Sequence, residues 1–126
     1  MTATDLPAMV TFTMRAPGRY ISMNDRDRWR PHATRVKAWR TLTALSARNL
    51  AAPCPADVHV QLDVRDARRR DPHNLYPTIK AIVDGLTDAG CWPDDTPEYV
   101  TTHEPTFRTV HGQPLHVTVT ITRRLP

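Results

Sequence analysis

The run Val58-His59-Val60-Gln61-Leu62-Asp63-Val64 constrains this chain more than any other stretch, because apolar and polar residues alternate along all of it. Successive side chains of a strand point to opposite faces. Val58, Val60, Leu62 and Val64 therefore belong on a core, with His59, Gln61 and Asp63 facing away from it. A slip of one residue would exchange the two faces completely. Leu115, Val117, Val119 and Ile121 repeat the pattern against His116, Thr118 and Thr120, and Val10, Phe12 and Met14 repeat it against Thr11 and Thr13. A weaker strand is expected within Glu98 to Phe107.

Half-buried strands need a cover, and two segments have helical spacing. From about Pro77 or Thr78 to Ala89, Ile79, Ile82, Val83 and Leu86 form an i, i+3, i+4, i+7 face, with Pro77 suited to a first helical position and Gly90 to a stop. From about Ala33 to Leu50, Val36, Trp39, Leu42 and Leu45 recur every third residue, which drifts around a helix and leaves its core face undefined. Between the first strand and this helix, Arg15 to Pro31 reads as a long basic loop, and loops of that length are often functional. Arg65 to Asp71 is a charged loop or strand end, and Cys91 to Pro97 a turn. The expected order is β-α-β-α-β-β, an α+β fold in one domain spanning 1–126, with helices packed on a mixed sheet.

A chain of 126 residues buries a modest core, so a dimer is expected to help it. Its two cysteines, Cys54 and Cys91, have neither metal-ligand spacing nor disulfide density. No apolar run approaches the ~20 residues of a membrane span, and the opening residues do not resemble a signal peptide. The expectation is a reduced, cytoplasmic protein with no membrane partner.

Charge is unevenly spread. The net charge is +4, with seventeen basic residues against thirteen acidic ones. Nine of the basic residues fall between Arg15 and Arg48, against only Asp25 and Asp27, whereas ten of the acids fall between Asp57 and Glu104. A basic half beside an acidic half suits a protein that grips a polyanion and places metal elsewhere; it equally suits a solvated helix face. All but two of the basic residues, Lys37 and Lys80, are arginine, whose planar fork of donors suits phosphate.

The acidic run from Asp71 to Asp95 is the candidate centre. A hard cation takes oxygen ligands, commonly one or two carboxylates with water and substrate phosphate completing the shell. Asp71 and His73 are two apart, so in extended backbone their side chains would share a side. Lys80, Asp84 and Asp88 lie opposite the apolar face of the second helix, and after Gly90 the turn returns with Asp94 and Asp95. Each piece alone has a plain reading: Pro-Asp-Asp is an ordinary turn, Lys80 and Asp84 an exposed i, i+4 pair, and His73 a surface histidine.

Taken together, Arg69-Arg70-Asp71-Pro72-His73-Asn74-Leu75, then Lys80 with Asp84-Gly85-Leu86, then Ala89-Gly90-Cys91-Trp92-Pro93-Asp94-Asp95, resemble the signature of the RusA-type Holliday junction resolvases. Upstream, Ser22-Met23-Asn24-Asp25-Arg26, Trp29-Arg30 and Trp39-Arg40 are similar to the N-terminal loop and first helix of phage and actinobacterial members. The resemblance covers nearly the whole chain. It implies a dimeric, Mg²⁺-dependent endonuclease of a bacterial cell or its phage that resolves four-way DNA junctions in recombination, repair or phage DNA processing, without a small-molecule cofactor.

Carried over by position, Asp71 and Asp95 match the first and last catalytic aspartates, Asp94 is the neighbour of Asp95, and Lys80 matches the family lysine. Metal would be held by Asp71, Asp94, Asp95 and His73. Two departures stand out. The family commonly has Asp-x-Asp-Asn, and here the second aspartate is His73; Tyr76-Pro77-Thr78-Ile79 also lengthens the spacing to Lys80. A histidine at that place would favour Mn²⁺ over Mg²⁺ as a ligand, or would serve as general base, or would stand by. DNA contacts are expected from Arg19, Asn24, Arg26, Arg28, Arg30, Arg35, Lys37, Arg40, Arg69 and Arg70. Trp29 would stack on an unpaired base or pack in the core. Two other readings are a nuclease for flaps and forks and a catalytically weak protein that binds branched DNA.

Overall fold

A computed structural model describes residues 6–26 and 29–125, so Arg28, one of the expected DNA contacts, lies outside the described residues. The order is β1 (Met9–Arg15), α1 (Trp29–Ala47), β2 (Ala56–Val64), α2 (Tyr76–Asp88), β3 (Val100–Thr102), β4 (Thr106–Thr109) and β5 (His116–Arg123). The strands form one mixed sheet in the order β1-β5-β2-β3, with β4 also on β2. This is the α+β arrangement expected from the sequence.

The three alternating runs define the register. β5 lies antiparallel between β1 and β2, which aligns Val10–Ile121–Val58, Phe12–Val119–Val60 and Met14–Val117–Leu62 as apolar rows. The alternate rows, Thr11–Thr120–His59 and Thr13–Thr118–Gln61, form the polar face. Both helices sit on the apolar side, where Trp39, Ile79, Ile82 and Leu86 join the strand residues in one core.

β3 and β4 are two pieces of one edge strand parallel to β2. Val58 pairs with Thr102 and Gln61 with Thr106, so His59 and Val60 stand opposite three residues, His103, Glu104 and Pro105. One extra residue makes a bulge, and Pro105 has no N–H to give the ladder. This accounts for the weak strand signal in that region.

α1 begins at Trp29, four residues earlier than expected, and ends at Ala47. Its core side is Trp39, Thr43 and Ala47, at helical spacing of four, while Leu45 is 57% exposed. Spacing by three had drifted onto solvent. α2 crosses α1 at Gly85, where a Cβ would lie 2.6 Å from the Arg40 carbonyl oxygen and 2.7 Å from Thr43 Cβ. The helices approach this closely because position 85 has no side chain. Among the described residues, no helix is long and apolar enough to cross a membrane.

Candidate active site

Asp71 leaves the loop after β2 and caps a short 3₁₀ turn, Pro72–Leu75, which runs directly into α2. Its Oδ1 accepts the His73 N–H at 3.0 Å. Asp followed by Pro is a natural start: the carboxylate satisfies a free backbone donor, and Pro presets φ where no N–H is needed. The turn overturns the expectation of extended backbone, and with it the shared side for Asp71 and His73. Asp71 lines a cavity of about 650 Å³ with Asn24, Asn74 and Arg69. His73 lines a separate cavity of about 230 Å³ with Tyr76, His103 and Glu104.

The loop after β1 is fastened to this turn. The Thr78 hydroxyl accepts the Ile21 N–H at 2.7 Å and donates to the Ile21 carbonyl at 2.9 Å. The Met23 N–H donates to the Asn74 carbonyl at 2.7 Å. These bonds bring Ser22 and Asn24 beside Asp71, although about fifty residues separate them in sequence.

One turn into α2, the Lys80 ammonium donates to Asp84 Oδ1 and Asp95 Oδ2, each at 2.7 Å. Asp95 returns because α2 ends in a Schellman motif. Gly90 has φ +88°, its N–H reaches the Thr87 carbonyl, and the Cys91 N–H reaches the Leu86 carbonyl. Trp92 is then buried, with its indole N–H on the Thr87 hydroxyl at 2.8 Å. Asp94 Oδ1 accepts the Asp95 N–H at 2.7 Å.

Hydrogen bonds donated to Asp84 and then Asp95 hold the Lys80 pKa above the usual lysine range, so it stays a cation and is no base. The same ammonium holds the Asp95 carboxyl below the usual range. Burial pushes the Cys91 thiol up to about 11, which leaves it unsuited to nucleophilic chemistry.

Each carboxylate of this group spends one oxygen inside the protein: Asp84 and Asp95 on Lys80, Asp94 on a backbone N–H. The remaining oxygens are hard donors, which fit a cation that keeps waters and takes phosphate for the rest of its shell. A closed cage is not formed, since among the described residues no three His, Cys, Asp or Glu side chains converge on one point. Asp71 has no ion pair among the described residues, its one side-chain bond being the cap.

The expected DNA contacts divide into two sets. Arg40 forms a two-point ion pair with Asp88, at 2.5 and 2.8 Å, joining α1 to α2. Arg35 pairs with Asp25 at 3.1 Å, and Arg70 with Asp66 at 3.0 Å. Their donors are already engaged, which sequence spacing had not revealed. Arg26, Arg30, Lys37 and Arg69 are exposed. Trp29 is 79% exposed at the start of α1, so core packing is excluded for it.

Asn74 and Tyr20, neither among the expected site residues, line the larger cavity, and Asp84, for which an exposed i, i+4 pair was the plain alternative, shares Lys80 with Asp95. Asn74 directly follows His73 in the quoted run, and the i, i+4 spacing of Lys80 and Asp84 was the available signal for the pair. No protein-family model matches the chain, and no curated protein matches it.

Proposed function

We propose that this chain is a divalent-metal-dependent endonuclease that resolves four-way DNA junctions by paired nicks as a homodimer. The observation that carries the reading is the Asp84–Lys80–Asp95 group, in which three residues from a helix and a returning turn form one built polar site. It makes a single centre out of residues that are ordinary one at a time. The resemblance of the Asp71-to-Asp95 run to the RusA type supplies the reaction class.

Asp71 and Asp95 would hold the ion, Mg²⁺ or Mn²⁺, with Asp94 beside them. When bound, such an ion supplies Lewis acidity and a water of lowered pKa. Lys80 offers a fixed positive charge to a phosphate oxygen, where charge grows as the phosphodiester is attacked. Exposed Arg26, Arg30, Lys37 and Arg69 hold flanking phosphates without reading sequence. Two-fold symmetry of a homodimer would match the pseudo-two-fold symmetry of the junction.

A second reading is a protein that binds branched DNA but cuts it weakly. It is favoured by the cavity that His73 shares with His103 and Glu104 instead of Asp71. Cleavage of a labelled four-way junction, with Mg²⁺ and Mn²⁺ in parallel, separates the two. The nuclease predicts paired nicks that fall at least about a hundredfold in Asp71→Asn and Asp95→Asn, with junction binding retained. Binding without nicks in either metal supports the second reading. Nicks that survive Asp71→Asn would remove Asp71 from the chemistry, and cuts confined to flaps would move the substrate to other branched DNA.

A further inference from the structure

The larger cavity, of about 650 Å³, lies within the ~300–1,000 Å³ span of small-ligand sites. Its lining divides by chemistry. Tyr20, Val64, Leu75 and Leu115 supply apolar surface. The Tyr20 ring is fixed, since its hydroxyl donates to the Asp63 carbonyl and Trp39 lies 5.6 Å away between centroids. Asn24 and Asn74 supply two carboxamides, neither with a side-chain hydrogen bond among the described residues.

The backbones that carry these amides are tied down. The Asn24 N–H donates to the Ser22 hydroxyl at 3.1 Å, and the Asn74 carbonyl accepts the Met23 N–H at 2.7 Å. Of the lining arginines, Arg70 is held by Asp66, Arg65 by the Gln113 carbonyl, and Arg68 lies 3.7 Å from Asp66. Arg69 alone among them has no such partner among the described residues.

An apolar wall, two unpaired carboxamides and one unpaired guanidinium match the face of a base, the edge of a base and a phosphate. Bases stack on apolar and aromatic surface, and their edges present donors and acceptors side by side, as a carboxamide does. A guanidinium pairs with phosphate. We propose that this cavity receives one unstacked nucleotide, its base between Tyr20 and the amides of Asn24 and Asn74 and its phosphate on Arg69. That the nucleotide belongs to a DNA strand, with its phosphate next to Asp71, rests on the nuclease reading.

The test is binding, without metal and without cleavage. The probes are a fluorescent thymidine tetranucleotide, the same strand with an abasic site at each interior position, and free thymidine monophosphate as competitor. The expected result is that one abasic position weakens binding by about tenfold, the size of a lost base stack. Asn74→Ala should weaken the intact strand similarly and erase the difference between intact and abasic strands. Arg69→Gln should weaken both strands alike, and Arg48→Ala should change neither. Thermal melting checks that each variant is folded, and the exposed Arg69 keeps the test decisive if Asn74→Ala is not.

Equal binding of intact and abasic strands by the wild type would overturn the cavity assignment while leaving junction cleavage untouched. A monophosphate that competes as well as the tetranucleotide would overturn the assignment to a strand. If base discrimination holds but no junction is ever cut, the nuclease reading fails and the nucleotide site stands.

Discussion

At the scale of single residues, Asp63 is the one buried carboxylate among the described residues. It is 1% exposed, yet it accepts Arg108 at 2.8 and 3.0 Å and the His116 N–H at 3.0 Å. The Arg108 hydrogen bond, ahead of the opposing effect of burial, holds its carboxyl below the usual range. A depressed folded pKa gives stability that is complete above the unfolded value, about 3.9, and lost as pH falls through the folded one. Asp63→Asn should therefore lower the urea-derived stability by about 2 kcal/mol at pH 7, since the Arg108 guanidinium is half exposed and water meets part of its loss. The gap between variant and wild type should narrow below about pH 4. A gap unchanged at pH 3 would mean that shape, not charge, is what Asp63 supplies. Alternation correctly turned this residue away from the helices. It could not show that Arg108, forty-five positions on, would cover it.

Elements were legible in the sequence where periodicity was clean, and less so where local rules competed. The three alternating strands and the apolar face of α2 follow from spacing alone, because burial of one face leaves no other register. α1 was harder: its core side uses Thr43 and Ala47, which a hydrophobic pattern passes over, and exposes Leu45. The reason lies at the helix crossing, where small residues are needed. A Cβ at position 85 would stand 2.6 Å from the Arg40 carbonyl oxygen, which is backbone and cannot swing aside. Gly85→Ala gains about 1 kcal/mol of helix propensity in isolation, yet forcing α1 and α2 apart costs about 1–3 kcal/mol. The expected outcome is a lower melting temperature despite the better helix former. Since Lys80 and Asp84 ride on α2, the junction cleavage proposed for this site should fall with it. A rise in melting temperature would show that the crossing relaxes. The candidate site followed the same division. Residues joined by helix spacing, Lys80 and Asp84, were readable; the parting of Asp71 from His73 depended on the Asp-Pro cap winning over extended backbone.

Over the whole molecule, composition merges two kinds of basic residue. Arg40 closes the α1–α2 contact through Asp88, whereas Arg30 and Lys37 on the same helix are exposed with no ion pair among the described residues. Phosphate contacts release counterions, so each one lost flattens the plot of log affinity against log salt by about 0.9. Arg30→Gln and Lys37→Gln should each reduce the slope by roughly that amount, and together by about twice it, with the melting temperature unchanged. Arg40→Gln should do the reverse. It removes an exposed pair worth at most about 1 kcal/mol, so melting drops slightly while the salt slope stays. If Arg40→Gln instead flattens the slope as much as Arg30→Gln, Asp88 must release its partner when DNA arrives. The pair would then be a reserve of positive charge held beside the acidic site. Salt titration of a junction with these three variants decides between a basic face that is wholly open and one partly committed to holding the helices together.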